Sequence, residues 1–116
     1  MVFNVIARNC DDHTKNFALR LKQGEEWEIT PAYDMCYAYR PGSDWVSKHA
    51  LIINGKRENI KMEDLLKVAK SMNIKKPEQM IKGINGVIQQ WAVYAESCGV
   101  ENSLKKKIAS NLIDLK

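Results

Sequence analysis

The hydrophobic period of this chain changes at about residue 61, and that change restricts the fold more than any other property of the sequence. Before it, apolar residues alternate with polar ones or gather between turn signals. Phe17, Leu19 and Leu21 point one way while Ala18, Arg20 and Lys22 point the other. Gln23-Gly24-Glu25 supplies a turn, Trp27 and Ile29 resume the alternation, and Pro31 ends it, so the pattern predicts a β-hairpin. Residues 32–45 carry no sustained period and contain Pro41-Gly42, which predicts a loop. His49 to Ile53 reads as a short strand, and Asn54-Gly55 predicts a tight turn into a return strand around Glu58 to Ile60.

After residue 61 the spacing is helical. Met62, Leu65, Leu66, Ala69 and Met72 mark one face of a helix, with Glu63 and Asp64 in its first turn where the helix dipole favours acids. Pro77 suits a first helical position and opens a run in which Ile81, Ile84, Ile88, Trp91, Ala95 and Cys98 recur every three or four residues, with Gly99 as its cap. A last helix carries Leu104, Ile108, Leu112 and Leu115, and Val2 to Arg8 reads as the tail of another. Short antiparallel ribbons followed by amphipathic helices make an α+β, predominantly helical fold. With 116 residues, the chain is expected to be one domain over residues 1–116.

Composition narrows the class of function. No apolar run reaches the roughly 18 residues of a membrane span, so no membrane association is expected. Three cysteines, Cys10, Cys36 and Cys98, lie far apart and form no C-x-x-C, which fits free thiols in a reducing cytoplasm. The net charge of +4 is a weak argument for nucleic acid, and Lys105-Lys106-Lys107 reads as a solvated helix face, so no direct nucleic-acid binding is expected.

The chemistry is concentrated in Asn9-Cys10-Asp11-Asp12-His13-Thr14-Lys15-Asn16. Asp11 and Asn16 stand in the pattern D-x-x-x-x-N, the spacing of a protein-kinase catalytic loop. That chemistry needs a carboxylate to take the proton of the substrate hydroxyl, and a neutral oxygen ligand nearby that binds Mg²⁺ without competing as a base. A carboxylate ligand must complete the pair. From Gly24 the hairpin runs back eight residues to Asn16 and forward ten to Asp34. At about 3.3 Å per residue on each arm, antiparallel pairing returns Asp34 close to Asn16. Oxygen ligands from Asn16 and Asp34 suit Mg²⁺, a hard cation that keeps waters and bridges phosphates.

At these residues the sequence resembles the C-terminal lobe of HipA-like serine/threonine kinases, a family that includes the toxin halves of bacterial toxin–antitoxin pairs. The resemblance rests on D-D-H-x-K-N, a short hairpin, then W-x-[IL]-x-P-A-Y-D, and after it L-I-I-N-G-K-R and a helix bearing D-L-L. It implies a kinase-like C-lobe, with one hairpin between catalytic loop and metal-binding Asp, a second short hairpin, then three helices. It makes Asp11 the proton-accepting base and Asn16 and Asp34 the Mg²⁺ ligands. His13 and Lys15 would face ATP, with Lys15 offsetting phosphate charge, and Tyr33 holds the middle of the A-Y-D triplet on the nucleotide side. Asp12 stands where many members carry a small residue. Spacing to Asn16 favours Asp11, with Asp12 the alternative register.

The implied acceptor is a serine or threonine hydroxyl on a protein. The six glycines form no phosphate-cradling motif, and the resemblance places the nucleotide-clamping lobe upstream of the catalytic loop. These residues are therefore expected to be a C-lobe without its N-lobe, inactive alone, with an antitoxin or an N-lobe subunit as partner. Two other functions are open: a non-catalytic interaction module of the same shape, and a metal-dependent nuclease built on Asp11, Asp12, His13 and Asp34. The remaining candidates have structural readings. His49 is expected to be structural, Cys10 unactivated, and Tyr37, Tyr39 and Trp45 either a substrate-side surface or part of the core.

Overall fold

A computed structural model describes residues 1–115 and shows an α+β, mostly helical fold. Helix α1 (Val2–Ile6) is followed by a 3₁₀ turn at Thr14–Asn16, a hairpin of β1 (Leu19–Arg20) and β2 (Glu28–Ile29), and four further helices. These are α2 (Met62–Ser71), α3 (Pro77–Ile88), α4 (Trp91–Ser97) and α5 (Asn102–Ala109). No helix of the structure is long and apolar enough to cross a membrane.

A five-residue helix has no stability of its own in water, because too few bonds follow a costly nucleus. Burial holds α1 in place. Val5 and Ile6 are fully enclosed, within a core that includes Ile53, Leu65, Ile81, Ile88 and Leu115. The end of the chain returns to this centre: Ile113 N–H donates to the Ile6 carbonyl at 3.0 Å, and the Asn85 side chain on α3 bonds both Asp114 and the Leu115 amide. The helix closes with Arg8 in the left-handed region (φ 57°). Asn9 N–H reaches back to the Asn4 carbonyl at 2.9 Å and Arg8 N–H to Val5 at 3.4 Å. This is the Schellman arrangement. It recurs after α2 with Asn73 and after α4 with Gly99 in the left-handed position.

The first hairpin forms in the register Leu19↔Ile29 and Arg20↔Glu28, centred on Gly24. Its polar face is laced by Arg20–Glu28 and Lys22–Glu28 ion pairs at 2.8 and 3.1 Å. Its apolar face is not covered: Leu19, Leu21, Trp27 and Ile29 are each more than half exposed.

Three expectations are corrected. The second hairpin is only a turn. Asn54 and Gly55 both take positive φ, and Ile53 and Lys56 form a single antiparallel bridge, while 49–52 and 58–60 make no strand. Beyond that bridge the two arms lose register, because His49 and Arg57 pair out of step with it: His49 N–H donates to the Arg57 carbonyl at 2.9 Å and Arg57 Nε to the His49 carbonyl at 2.6 Å. The long helix from Pro77 breaks at Gln89-Gln90, where Gln90 N–H bonds Val87 three residues back rather than four. The helices after the turns are therefore four, not three. The last helix stops at Ala109, so Leu112 and Leu115 reach the core from an irregular tail.

Between the L-I-I-N-G-K-R turn and α2, Asp64 accepts from Asn54 Nδ2 (2.7 Å), Lys56 Nζ (2.9 Å) and Lys61 N–H (2.9 Å). The Lys56 hydrogen bond, then those from Lys61 and Asn54, hold its carboxyl far below the usual carboxylate range. Asp64 thus both caps α2 and ties the turn to it.

Candidate active site

The loop from Asn9 to Asn16 is fixed first by backbone. Left-handed Arg8 turns the chain out of α1 into a parallel bridge, Asn9 against Ala38, with Cys10 N–H donating to Ala38 O at 3.0 Å and Ala38 N–H to Arg8 O at 3.1 Å. Asn9 is buried, and its amide donates to the Asp34 carbonyl at 2.9 Å. This bond holds Asp34 in the left-handed region (φ 54°), a conformation that costs a non-glycine residue about 1 kcal/mol or more. Cys10 is fully buried, and burial raises its thiol pKa, which fits an unactivated cysteine.

The two adjacent aspartates have opposite surroundings. Asp12 is 1% exposed. Its Oδ1 accepts from the Ala50 and Leu51 amides at 2.8 and 3.3 Å, and its Oδ2 lies 3.0 Å from His49 Nδ1. Burial alone pushes this carboxyl upward, but the His49 hydrogen bond and charge and the two backbone amides outweigh it, and the net shift is downward. The ionised carboxylate makes Nδ1 the donor. Asp11 points to solvent, with half its side chain exposed and, among the described residues, only His13 Nε2 within ion-pair reach at 3.8 Å. Asp12 is enclosed with both oxygens hydrogen-bonded, which also removes one ligand from the nuclease reading. Among the described residues no group of three or more His, Cys, Asp or Glu could hold a metal.

Asn16 follows in the 3₁₀ turn, its amide N–H donating to His13 O at 3.0 Å. Its side-chain Nδ2 donates to Asp34 Oδ2 at 2.7 Å and to the Asp11 carbonyl at 3.1 Å. The hairpin therefore returns Asp34 to Asn16 as the arm lengths predict. The donor set fits Mg²⁺. Two octahedral ligands at adjacent positions stand about 3 Å apart for metal–oxygen bonds of about 2.1 Å, close to the separation of the Asn16 and Asp34 heads. A turn of the carboxamide would present Oδ1 in place of Nδ2.

The family model described as the HipA-like C-terminal domain matches residues 1–95. The chain belongs to this family. No curated protein and no solved structure matches it.

In this HipA-like domain the remaining site candidates gather at the hairpin base. Tyr33 hydroxyl donates to the Lys15 carbonyl at 2.9 Å, bracing the two arms across the position where Asn16 meets Asp34. Lys15 is exposed, and its ammonium joins no ion pair among the described residues. His13 Nδ1 is buried without a hydrogen-bond partner. At the hairpin base a cavity of about 150 Å³ has Asn9, Asn16, Tyr33 and Asp34 on one side and apolar residues such as Phe17, Ile29, Pro31 and Met35 on the other; His13 and Lys15 do not line it. That is smaller than the roughly 300 Å³ or more at which small-molecule sites begin as a rule.

Outside the cavity, Tyr39 packs under the Arg8 guanidinium at 3.6 Å and Trp45 is 83% exposed. The sequence reading missed Asn9, Asn4, whose Oδ1 accepts from Asn9 Nδ2 at 3.4 Å, and the Tyr33–Lys15 brace. Asn9 carried a signal, as a carboxamide bordering two aspartates, but its partner is a backbone carbonyl 25 residues away.

Asp12 and Asp64 set the acid limit of this fold. Both have folded pKa values below their unfolded ones, so the unfolded chain binds protons first as pH falls. Their contributions are complete above about pH 5 and are lost progressively below about pH 4, the unfolded carboxylate range. Urea midpoints measured at decreasing pH should fall across that window; an unchanged midpoint at the acid end would remove both residues from this role.

Proposed function

We propose that this chain is the catalytic lobe of a Mg²⁺–ATP-dependent serine/threonine protein kinase of toxin–antitoxin type. Membership of the HipA-like C-terminal domain family supports the reading, and the observation that carries it is the 2.7 Å approach of Asn16 to Asp34 beside an exposed Asp11. Asp11 accepts the proton of the acceptor hydroxyl. Asn16 and Asp34 hold Mg²⁺, which when bound offsets phosphate charge. His13, Lys15 and Tyr33 border the phosphate end of ATP, and Lys15 adds a positive charge there. The glycine-rich clamp that such a reaction needs lies outside these 116 residues and comes from another segment or subunit.

Mg²⁺ titration of the ¹⁵N-labelled chain, followed by NMR, tests the site. Signals of Asn16 and Asp34 should move together, and Asn16→Ala or Asp34→Ala should weaken binding by roughly 10-fold or more. Shifts elsewhere that survive both substitutions would overturn the assignment. Autophosphorylation by the 116 residues alone should be negligible, and robust turnover would show that no clamp is missing.

A second reading, an interaction module docking an antitoxin or an N-lobe subunit, is favoured by the uncovered hairpin face of Leu19, Leu21, Trp27 and Ile29. An isolated two-stranded ribbon is marginal in water, so its apolar face gains most from a partner. Loss of Mg²⁺–ATP binding after reconstitution with such a partner would favour the module over the kinase.

A further inference from the structure

We infer that His49 is a positioning residue for the Asp11–Asn16 loop, acting through Asp12 and touching neither substrate nor metal itself. The inference rests on the kinase reading of Asp11, Asn16 and Asp34.

His49 lies 37 residues from Asp12 in sequence and is buried to 1% exposure. Its own backbone is clamped on both sides. His49 N–H donates to the Arg57 carbonyl at 2.9 Å, and Arg57 Nε donates to the His49 carbonyl at 2.6 Å. The Asn54-Gly55 turn between them is in turn tied to α2 through Asp64. The imidazole therefore projects from a rigid support. Its Nδ1, with the Ala50 and Leu51 amides, makes three donors that converge on one carboxylate.

That carboxylate belongs to the residue between Asp11 and His13. From Asp12 the chain passes through His13 into the 3₁₀ turn that carries Asn16, and Asn16 reaches back to the Asp11 carbonyl. Asp12 is thus the last side chain anchored in the interior before the loop enters solvent. If it swings, the Asp11 carbonyl and the Asn16 carboxamide move with it, and the approach of Asn16 to Asp34 changes. Groups that orient metal ligands through hydrogen bonds typically cost 10–100-fold in metal affinity when removed, and His49 acts one step further out, through Asp12. The neighbouring amides satisfy only Oδ1, so Oδ2 depends on His49.

The test uses the full ¹⁵N-labelled chain, Mg²⁺ as the probe, and two variants. His49→Phe keeps a buried ring without a donor; His49→Asn keeps a donor near the place of Nδ1. In folded His49→Phe, Mg²⁺ affinity should fall roughly 10-fold and the Asn16 side-chain amide signals should move, while His49→Asn should restore both to near wild type. A lower melting temperature in His49→Phe with unchanged Mg²⁺ affinity and unchanged Asn16 signals would make His49 purely structural and overturn the inference. Where His49→Phe does not fold, His49→Leu takes its place, and the wild type supplies a reciprocal measurement. Coupling runs both ways, so saturating Mg²⁺ should shift the His49 ring nitrogens and slow exchange at the Ala50 and Leu51 amides. Response at Asn16 and Asp34 with none at those groups would overturn the inference. Absence of any Mg²⁺ response at Asn16 and Asp34 in wild type is the failure of the kinase reading instead. The Asn16 amide signals of the variants then decide the positioning role without metal, and unmoved signals reject it.

Discussion

Replacing Asp12 by alanine should destabilise the chain by about 3 kcal/mol, since a buried donor left unsatisfied costs about 1–3 kcal/mol and each lost amide bond about 1 kcal/mol. The substitution strands the buried His49 Nδ1 and removes the acceptor of the partly buried Leu51 amide, while the Ala50 amide keeps only its 3.2 Å bond to the Cys10 carbonyl. A buried donor without an acceptor costs its full desolvation, whereas the bond it replaces was worth only about 1 kcal/mol net. Domains of this size have about 5–15 kcal/mol in all, so a large share of stability is at stake. At about 4 °C or more per kcal/mol, Tm should drop by roughly 12 °C or more. Asp12→Asn is the graded control. It keeps an oxygen for the two amides, and its Nδ2 can donate to the other tautomer of His49, so its cost should be about 1 kcal/mol. Thermal and urea unfolding of the three proteins decide it. Equal stability of Asp12→Ala and wild type would show that the loop is held by its backbone alone.

The pair of aspartates shows where sequence reading reaches its limit. D-x-x-x-x-N spacing singles out Asp11, but spacing measures distance along the chain and carries nothing about which neighbour turns inward. The direction is decided by His49, Ala50 and Leu51, and none of these lies within thirty residues of the loop. The same holds for Asn9, whose amide finds a carbonyl made accessible only by the left-handed twist at Asp34. Asp34 itself was legible, because a hairpin converts nearly equal arm lengths, here eight and ten residues, into proximity through backbone geometry alone.

Helix ends followed a similar rule. Gly99 could be read as a cap because glycine adopts positive φ without strain. Arg8 could not, because the structure places an arginine there only under the pull of two backbone bonds and the ring of Tyr39. The split between α3 and α4 left no mark in the apolar period, which continues from Ile88 to Trp91 across it. What breaks the helix is a polar pair: Gln89 turns to the Ile113 carbonyl and Gln90 to Gly86. The exposed face of the hairpin is a different kind of case. Alternation correctly reports that the ribbon is two-sided, and says nothing of what lies against its apolar side.

Asp11→Asn should do the reverse of Asp12→Ala. Tested in the chain reconstituted with the segment or subunit that supplies the phosphate clamp, it should lower kcat by roughly 10²–10⁴, the usual worth of a general base. Stability should stay within about 0.5 kcal/mol of wild type, as for surface substitutions that break no buried contact. The carboxylate is half exposed and meets only His13 at 3.8 Å, so its loss strands no buried group. Mg²⁺ affinity should also persist, because the Asn16 amide bonds the Asp11 backbone carbonyl and not its side chain. The substitution therefore separates three properties that a loop mutation ordinarily confounds. Asn16→Ala should lose metal and turnover together; Asp12→Ala should lose stability; Asp11→Asn should lose turnover alone. A reconstituted Asp11→Asn enzyme with full activity would move the proton acceptor elsewhere, and Asp12, enclosed and with both oxygens engaged, could not take its place without the loop opening.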